Sequence, residues 1–219
     1  MDKSEVCLIT VHGGGRPEIL EAQKSVFSYF GWSINQICEP LIRVGHGVAI
    51  DSVLNNLCND FVNSGIKTIA FIDSDCICLN ENSIPNMIDK VKDNNSIAGC
   101  IQNSGHLFPN NNVWHPYIGA FCFWISTELY LNLGRPTFNH IDDYGDTAEN
   151  LTWECEKRGY GIYGLYPSHS VGKEYDLPHG LKFGHQTTYG NSWFHCFRQD
   201  LSESKQIFLD KCKEITNGK

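Results

Sequence analysis

Apolar residues recur along this chain with two periods, and the period changes wherever glycine, proline or clustered polar residues intervene. Val6 to Val11 is a short apolar run that reads as a first strand. His12-Gly13-Gly14-Gly15-Arg16-Pro17 follows as a loop whose glycines let backbone approach a ligand, and Pro17 suits the first position of a helix over Glu18 to Phe30. Ile34 to Glu39 reads as a second strand. From Val48 to Asn63 the spacing becomes helical, with Val48, Val53, Leu54, Leu57, Phe61 and Val62 roughly along one side, so this helix should pack on a sheet. The stretch from Ile66 then opens with a β-rich apolar run, of the kind covered on both faces, and ends in Asp73-Ser74-Asp75.

The second half continues the alternation. Ser83 to Val91 reads as a helix with Ser83 as its cap and Pro85 tolerated in its opening turn. Ser96 to Ile101 is a further strand, Gly105 to His115 a surface loop, and Val113 to Ser126 a buried strand dense in aromatics that leads to a short helix at Glu128 to Leu133. Within that strand Trp114 and Tyr117 could either fill the core or stack on a sugar or base. An acidic loop, His140 to Glu149, feeds a helix that ends at Arg158 before Gly159; Asp146 and Glu149 have the spacing of a capping box. Tyr160 to Leu165 is a strand, a Gly- and His-rich tail follows, and Lys205 to Ile215 closes the chain as a polar-faced helix. Strands alternating with helices predict an α/β fold with a mostly parallel central sheet flanked by helices.

Composition narrows the partners. The 219 residues suit one domain with a full core, and a hydrophobic fraction of 41% is ordinary for a globular protein. With 25 acidic against 17 basic residues the net charge is -8, which argues against nucleic acid and leaves room for a small anion held by a metal and a few local cations. The polar Met1 to Glu5 segment runs straight into a strand, without a signal-peptide core or any bilayer-spanning run, so a cytoplasmic protein is expected. Ten scattered cysteines without a Cys-x-x-Cys pair fit free thiols in a reducing compartment. Cys76 and Cys78 share a strand face, but two sulfurs fall short of a structural zinc set.

The candidate chemistry is concentrated at Asp73 and Asp75. In open α/β sheets ligands gather beyond the carboxyl ends of strands, and two carboxylates this close repel unless a cation sits between them. Oxygen ligands suit Mg²⁺ or Mn²⁺ held together with phosphates. The alternative is that both acids merely begin a turn. Arg16 adds a charge suited to phosphate or base contact, while Asp51, in the first turn of its helix, fits equally a simple interaction with the helix dipole.

Taken in order, four pieces resemble the GT-A glycosyltransferases, particularly the large family-two group of nucleotide-sugar transferases. They are the opening strand with Gly15-Arg16-Pro17, His46-Gly47 with Asp51 at a helix head, Phe71-Ile72-Asp73-Ser74-Asp75, and Asp146-Thr147 before Gly159-Tyr160. Gly14 and Gly15 stand where that group usually has Asn, and Asp146 with Glu149 replaces its common Glu-Asp pair. The resemblance implies a Rossmann-like GT-A fold, with residues 1–100 as a nucleotide-binding half and 101–219 as an acceptor-binding half. It also implies a metal-dependent transfer of a sugar from a nucleotide-diphosphate donor to a glycan, glycoconjugate or other hydroxyl acceptor, either inverting, or retaining with the acidic loop then holding the acceptor or stabilising the oxocarbenium ion.

Carried over residue by residue, the resemblance gives Asp73, Asp75 and His185 as ligands of Mn²⁺ or Mg²⁺, with His195 and His169 as alternatives to His185. A true His ligand would favour Mn²⁺. His12, Gly13, Arg16, Asp51, Asp73 and Ser74 would bind the nucleotide sugar. Asp146, then Asp143 and Asp142, are the candidates for the base that takes the acceptor's proton. Two other functions fit part of the pattern: a nucleotidyltransferase, which would want more Lys and Arg around its glycine loop, and a non-catalytic carbohydrate-binding domain.

Overall fold

The computed structural model describes residues 2–103, 116–139, 146–197 and 202–218. Ten strands and six helices lie within them, joined by short 3-10 turns. The first strand, β1 (Val6–His12), leads through the glycine loop into α1 (Pro17–Tyr29), with Pro17 opening the helix as expected. Gly14 and Gly15 take φ of 78° and 89°, a left-handed backbone that side chains rarely adopt, so the loop depends on glycine at both positions. Then follow β2 (Asn35–Cys38), α2 (His46–Asn63) and β3 (Thr68–Ile72). α2 starts two residues before the sequence pattern suggests, because the apolar period begins only at Val48 while Gly45 forms the cap.

All five residues of β3 are buried, which fits a strand covered on both faces. It continues through the Asp73-Ser74-Asp75 turn directly into β4 (Cys76–Cys78). Next come α3 (Ser83–Val91), β5 (Ser96–Asn103), β6 (Pro116–Ser126), α4 (Thr127–Asn132), α5 (Glu149–Lys157) and β7 (Gly161–Leu165). Ser83 is not the cap of α3. Asn82 holds that place without a side-chain bond, and the Ser83 hydroxyl instead donates to the Ser192 carbonyl at 2.7 Å.

The central sheet has six strands in the order β2-β1-β3-β6-β5-β7. β1 runs parallel to β2 and β3, and β5 parallel to β7, whereas β6 is antiparallel to both neighbours. This is the mostly parallel α/β arrangement that the alternating pattern predicts. The Gly- and His-rich tail is more ordered than expected: it forms β8 (Pro167–Asp176), β9 (Lys182–Tyr189) and β10 (Trp193–Cys196), and α6 (Ser202–Asn217) follows. With β4 these make a second, antiparallel sheet ordered β4-β10-β9-β8.

Aromatic packing joins the two sheets. Trp124 of β6 meets Trp193 of β10 edge-on at 5.8 Å, and Phe121 lies 5.4 Å from Tyr189. Phe27 of α1 reaches Trp193 from the helical side. Tyr117 is fully buried, so its place is in the core rather than stacked on a ligand, while Trp114 lies outside the described residues. Cys76 and Cys78 are buried free thiols, two of nine described cysteines without a disulfide. Among the described residues, no helix is long and apolar enough to cross a membrane.

Candidate metal centre and nucleotide cleft

The site begins with the turn that links the two sheets. Backbone N–H of Cys76 donates to the Asp73 carbonyl at 2.9 Å and closes a tight turn around Ser74 and Asp75. Asp73 N–H donates to the Phe121 carbonyl of β6, and Cys196 N–H of β10 donates to the Asp75 carbonyl at 3.0 Å. The first acid is thus anchored to the central sheet and the second to the smaller one.

β10 also supplies a side chain. Its antiparallel register pairs His195 with Cys76, next to Asp75. The imidazole Nε2 lies 3.4 Å from Asp75 Oδ1. Stacking fixes the ring: Phe121 lies parallel to it at 4.0 Å, and Phe197 packs at 5.3 Å. His195 and Asp75 are both buried, 6% and 8% exposed, so neither is held mainly by water.

Asp73, Asp75 and His195 each present a ligand atom, all within 4.8 Å of one another. Two carboxylate oxygens and one imidazole nitrogen form a donor set that fits a divalent cation, and imidazole beside carboxylate suits Mn²⁺ better than Mg²⁺. Burial raises the Asp73 carboxyl above its ordinary range; His46 opposes this and the nearby Asp75 charge adds to it. A cation between the two acids would remove that repulsion. His185 is not in this cluster. It sits on β9 with its ring against Phe197 at 5.0 Å, and among the described residues the histidine grouped with the two acids is His195.

In front of the acids opens a cleft of ≈ 370 Å³. His12, Gly13, Gly14, Arg16 and Leu20 form one wall, Ile42, Arg43 and His46 another, and Asp73, Ser74 and Asp75 the floor. Five of the six residues assigned to the nucleotide sugar therefore line a single cavity: His12, Gly13, Arg16, Asp73 and Ser74. Arg43 and His46 join them, the latter with Nδ1 3.9 Å from Asp73 Oδ2. His12 accepts a bond from Gly14 N–H on Nδ1 at 3.1 Å, which leaves its proton on Nε2, and burial holds its pKa below the ordinary value. A larger cavity of ≈ 960 Å³ lies at the opposite ends of the strands, beside Glu5, Lys67 and Glu128, and holds none of these residues.

Asp51 stands apart. Its carboxylate accepts from the Thr137 hydroxyl and, at 2.8 Å, from the Phe138 N–H, tying α2 to the segment before α5. Asp146 also faces protein. Tyr117 hydroxyl and Gln102 Nε2 both donate to its Oδ2, and Thr147 N–H donates to Oδ1 at 2.7 Å. Burial and the Asp146 charge push the Tyr117 phenol well up, so it stays neutral and donates. Half of the expected capping box forms, from Asp146 N–H to Glu149 Oε2 at 2.9 Å. Between them Ala148 takes φ 72°, and its N–H donates to the Phe138 carbonyl. Asp142 and Asp143 lie outside the described residues.

No family model matches the chain, and no curated protein matches it. Among solved structures it is similar to one described as the crystal structure of A197 from STIV, with a TM-score of 0.50 and 12% identity over 88% of this chain and 93% of that one. The likeness is one of fold. A glycosyltransferase involved in the glycosylation of the major capsid of PBCV-1 also aligns, with a TM-score of 0.45 and 12% identity over 74% of this chain and 81% of that one, too distant to carry an argument.

His195 and Arg43 are the residues that sequence reasoning ranked low or missed. The signal for His195 lay in the short, mostly apolar Trp193-Phe194-His195-Cys196 run, all of it buried, whose strand character goes unnoticed beside so many glycines and histidines. For Arg43 the signal was a single basic residue three positions before the helix that starts at His46, too little to single it out.

Proposed function

We propose that this protein is a metal-dependent glycosyltransferase, moving a sugar from a nucleotide-diphosphate donor to a glycan or other hydroxyl acceptor with inversion. The observation that carries the reading is the Asp73-Asp75-His195 cluster at the carboxyl end of β3, opening onto a cleft walled by the glycine loop. In this proposal those three residues hold Mn²⁺ or Mg²⁺, which when bound acts as a Lewis acid on the departing diphosphate. Arg16, Arg43 and His46 provide cationic or hydrogen-bonding contacts for the phosphates, and α1 and α2 both begin at the cleft, adding their positive ends. His12 offers its Nε2 proton as a donor, and Gly13, where a side chain would collide with Ile42, keeps the wall of the cleft thin enough for the nucleotide to approach the backbone.

On the acceptor side we assign the base to the acidic segment. Asp146 is first, with Tyr117 and Gln102 orienting its carboxylate, and Asp143 and Asp142 follow. Residues 1–100 would serve mainly the donor and 101–219 the acceptor, with His195 reaching back across that division. A cytoplasmic setting is proposed on the free thiols.

A nucleotidyltransferase remains a second reading, favoured by one observation: Arg43 gives the cleft a second guanidinium, as a triphosphate would need. Thermal shift with UDP, GDP, dTDP and the matching triphosphates, each with and without Mn²⁺, separates the two. The expected result is stabilisation by a diphosphate only when Mn²⁺ is present, because a ligand bound to the native state raises its stability by mass action. Preference for a triphosphate would favour the second reading, and sugar binding indifferent to nucleotide would overturn both.

A further inference from the structure

α1 turns Ile19, Gln23, Val26 and Phe27 into the core, and Gln23 is the polar member of that set, with no exposure. A buried amide without partners is costly, so where each of its atoms is spent is informative. Nε2 donates to the Asp73 carbonyl at 2.6 Å and to the Cys76 carbonyl at 3.1 Å. Oε1 accepts from Gln36 Nε2 at 3.1 Å and shares the Thr10 hydroxyl proton, at 3.0 Å, with the Ile72 carbonyl. Two carbonyls facing one end of the amide require its NH₂ there, which fixes the orientation of the side chain.

The residues at the far side of Gln23 are the two ends of the Asp73-to-Cys76 turn. From that turn project the carboxylates of Asp73 and Asp75. We infer that Gln23 is a positioning residue for the metal centre: by holding both ends of the turn it fixes the backbone that sets the spacing between the two acids. This deepens the proposed function and rests on the reading of Asp73, Asp75 and His195 as ligands. The other residues that α1 buries are apolar, and the amide at this one position is spent on the turn and on Gln36 and Thr10. Partners behind metal ligands act by restricting where the ligands can go, and losing one typically costs about 10- to 100-fold in affinity.

The test compares Gln23→Leu with Val26→Ala, a loss of packing from the same helix face. Mn²⁺ alone is titrated calorimetrically into each metal-free protein well below its unfolding temperature, and amide exchange is followed at Cys76, whose N–H bonds to the Asp73 carbonyl. Gln23→Leu is expected to weaken Mn²⁺ binding about 10- to 100-fold and to speed exchange at Cys76. Val26→Ala is expected to lose thermal stability with Mn²⁺ affinity within about twofold of the parent. Parent-like Mn²⁺ affinity in Gln23→Leu, or an equal loss in Val26→Ala, overturns the inference. If the parent itself takes up no Mn²⁺, the metal reading fails, and exchange at Cys76 then decides alone whether Gln23 holds the turn. Should Gln23→Leu not fold, Thr10→Val removes the hydroxyl shared by Gln23 and Ile72, and a smaller loss in the same two readouts is expected; no change in either overturns the inference.

Discussion

At the scale of single residues, Asp75 and Asp146 should separate binding from turnover. Asp75 is buried and touches His195, so Asp75→Ala removes one of the three proposed ligands and leaves an imidazole facing a gap. It is expected to weaken Mn²⁺-dependent nucleotide binding by at least about 100-fold, or roughly 2.7 kcal/mol. Asp146→Asn keeps an acceptor oxygen for its neighbours but loses the charge a base requires, so nucleotide affinity should persist while turnover falls about 10²- to 10⁴-fold. Calorimetry and a donor-consumption assay on the same two variants check both. Full activity in Asp146→Asn would move the base to another acid. The acid pair stood out in the sequence because it ends a buried apolar strand, although a turn accounted for it equally well and the structure does set it on one. His195 was not, since its meeting with Asp75 depends on antiparallel pairing between β10 and β4, far apart in the chain.

At the scale of elements, α2 connects the cleft to the segment that precedes α5. Its first residue, His46, faces Asp73, and little more than a turn later Asp51 grips the segment from Thr137 to Phe138. Close packing enforces the same contact: a methyl on Gly47 would lie 2.7 Å from Asn139 N and 2.8 Å from the Phe138 carbonyl. Phe138 is itself fully buried against Phe71 and Phe123, so the segment cannot easily withdraw. Asp51→Ala strands the Phe138 N–H and should cost about 1–3 kcal/mol in urea unfolding, with Mn²⁺-nucleotide affinity within about twofold. Gly47→Ala should cost a similar amount by overpacking. A large loss of nucleotide affinity in a folded Asp51→Ala would instead return Asp51 to the donor site. The expected place of Asp51 in a first turn was wrong, because α2 starts at His46 and no acid lies in its first turn; in sequence an Asp near a helix head looks the same whether it meets a helix dipole, a ligand or another segment. Only the tertiary partner distinguishes them.

At the scale of the whole molecule, a net charge of -8 coexists with a cleft lined by the two guanidinium groups of Arg16 and Arg43 beside two acids. Local focusing of this kind lets an acidic protein hold a small anion while repelling long polyanions. The central sheet was readable because β1, β3 and β6 are apolar runs bounded by turn residues. The second sheet was hidden: β8 is largely exposed along its length and lacks the alternation that marks a half-buried strand. Yet that sheet delivers His195, so the part of the fold hardest to read completes the site. Diffraction at the manganese edge, from crystals soaked in Mn²⁺ and a nucleoside diphosphate, tests the metal assignment most directly. The expected result is an anomalous peak bridging Asp73, Asp75 and His195 with the diphosphate beside it in the cleft. Nucleotide bound there without metal at the two carboxylates, or manganese held elsewhere, contradicts it.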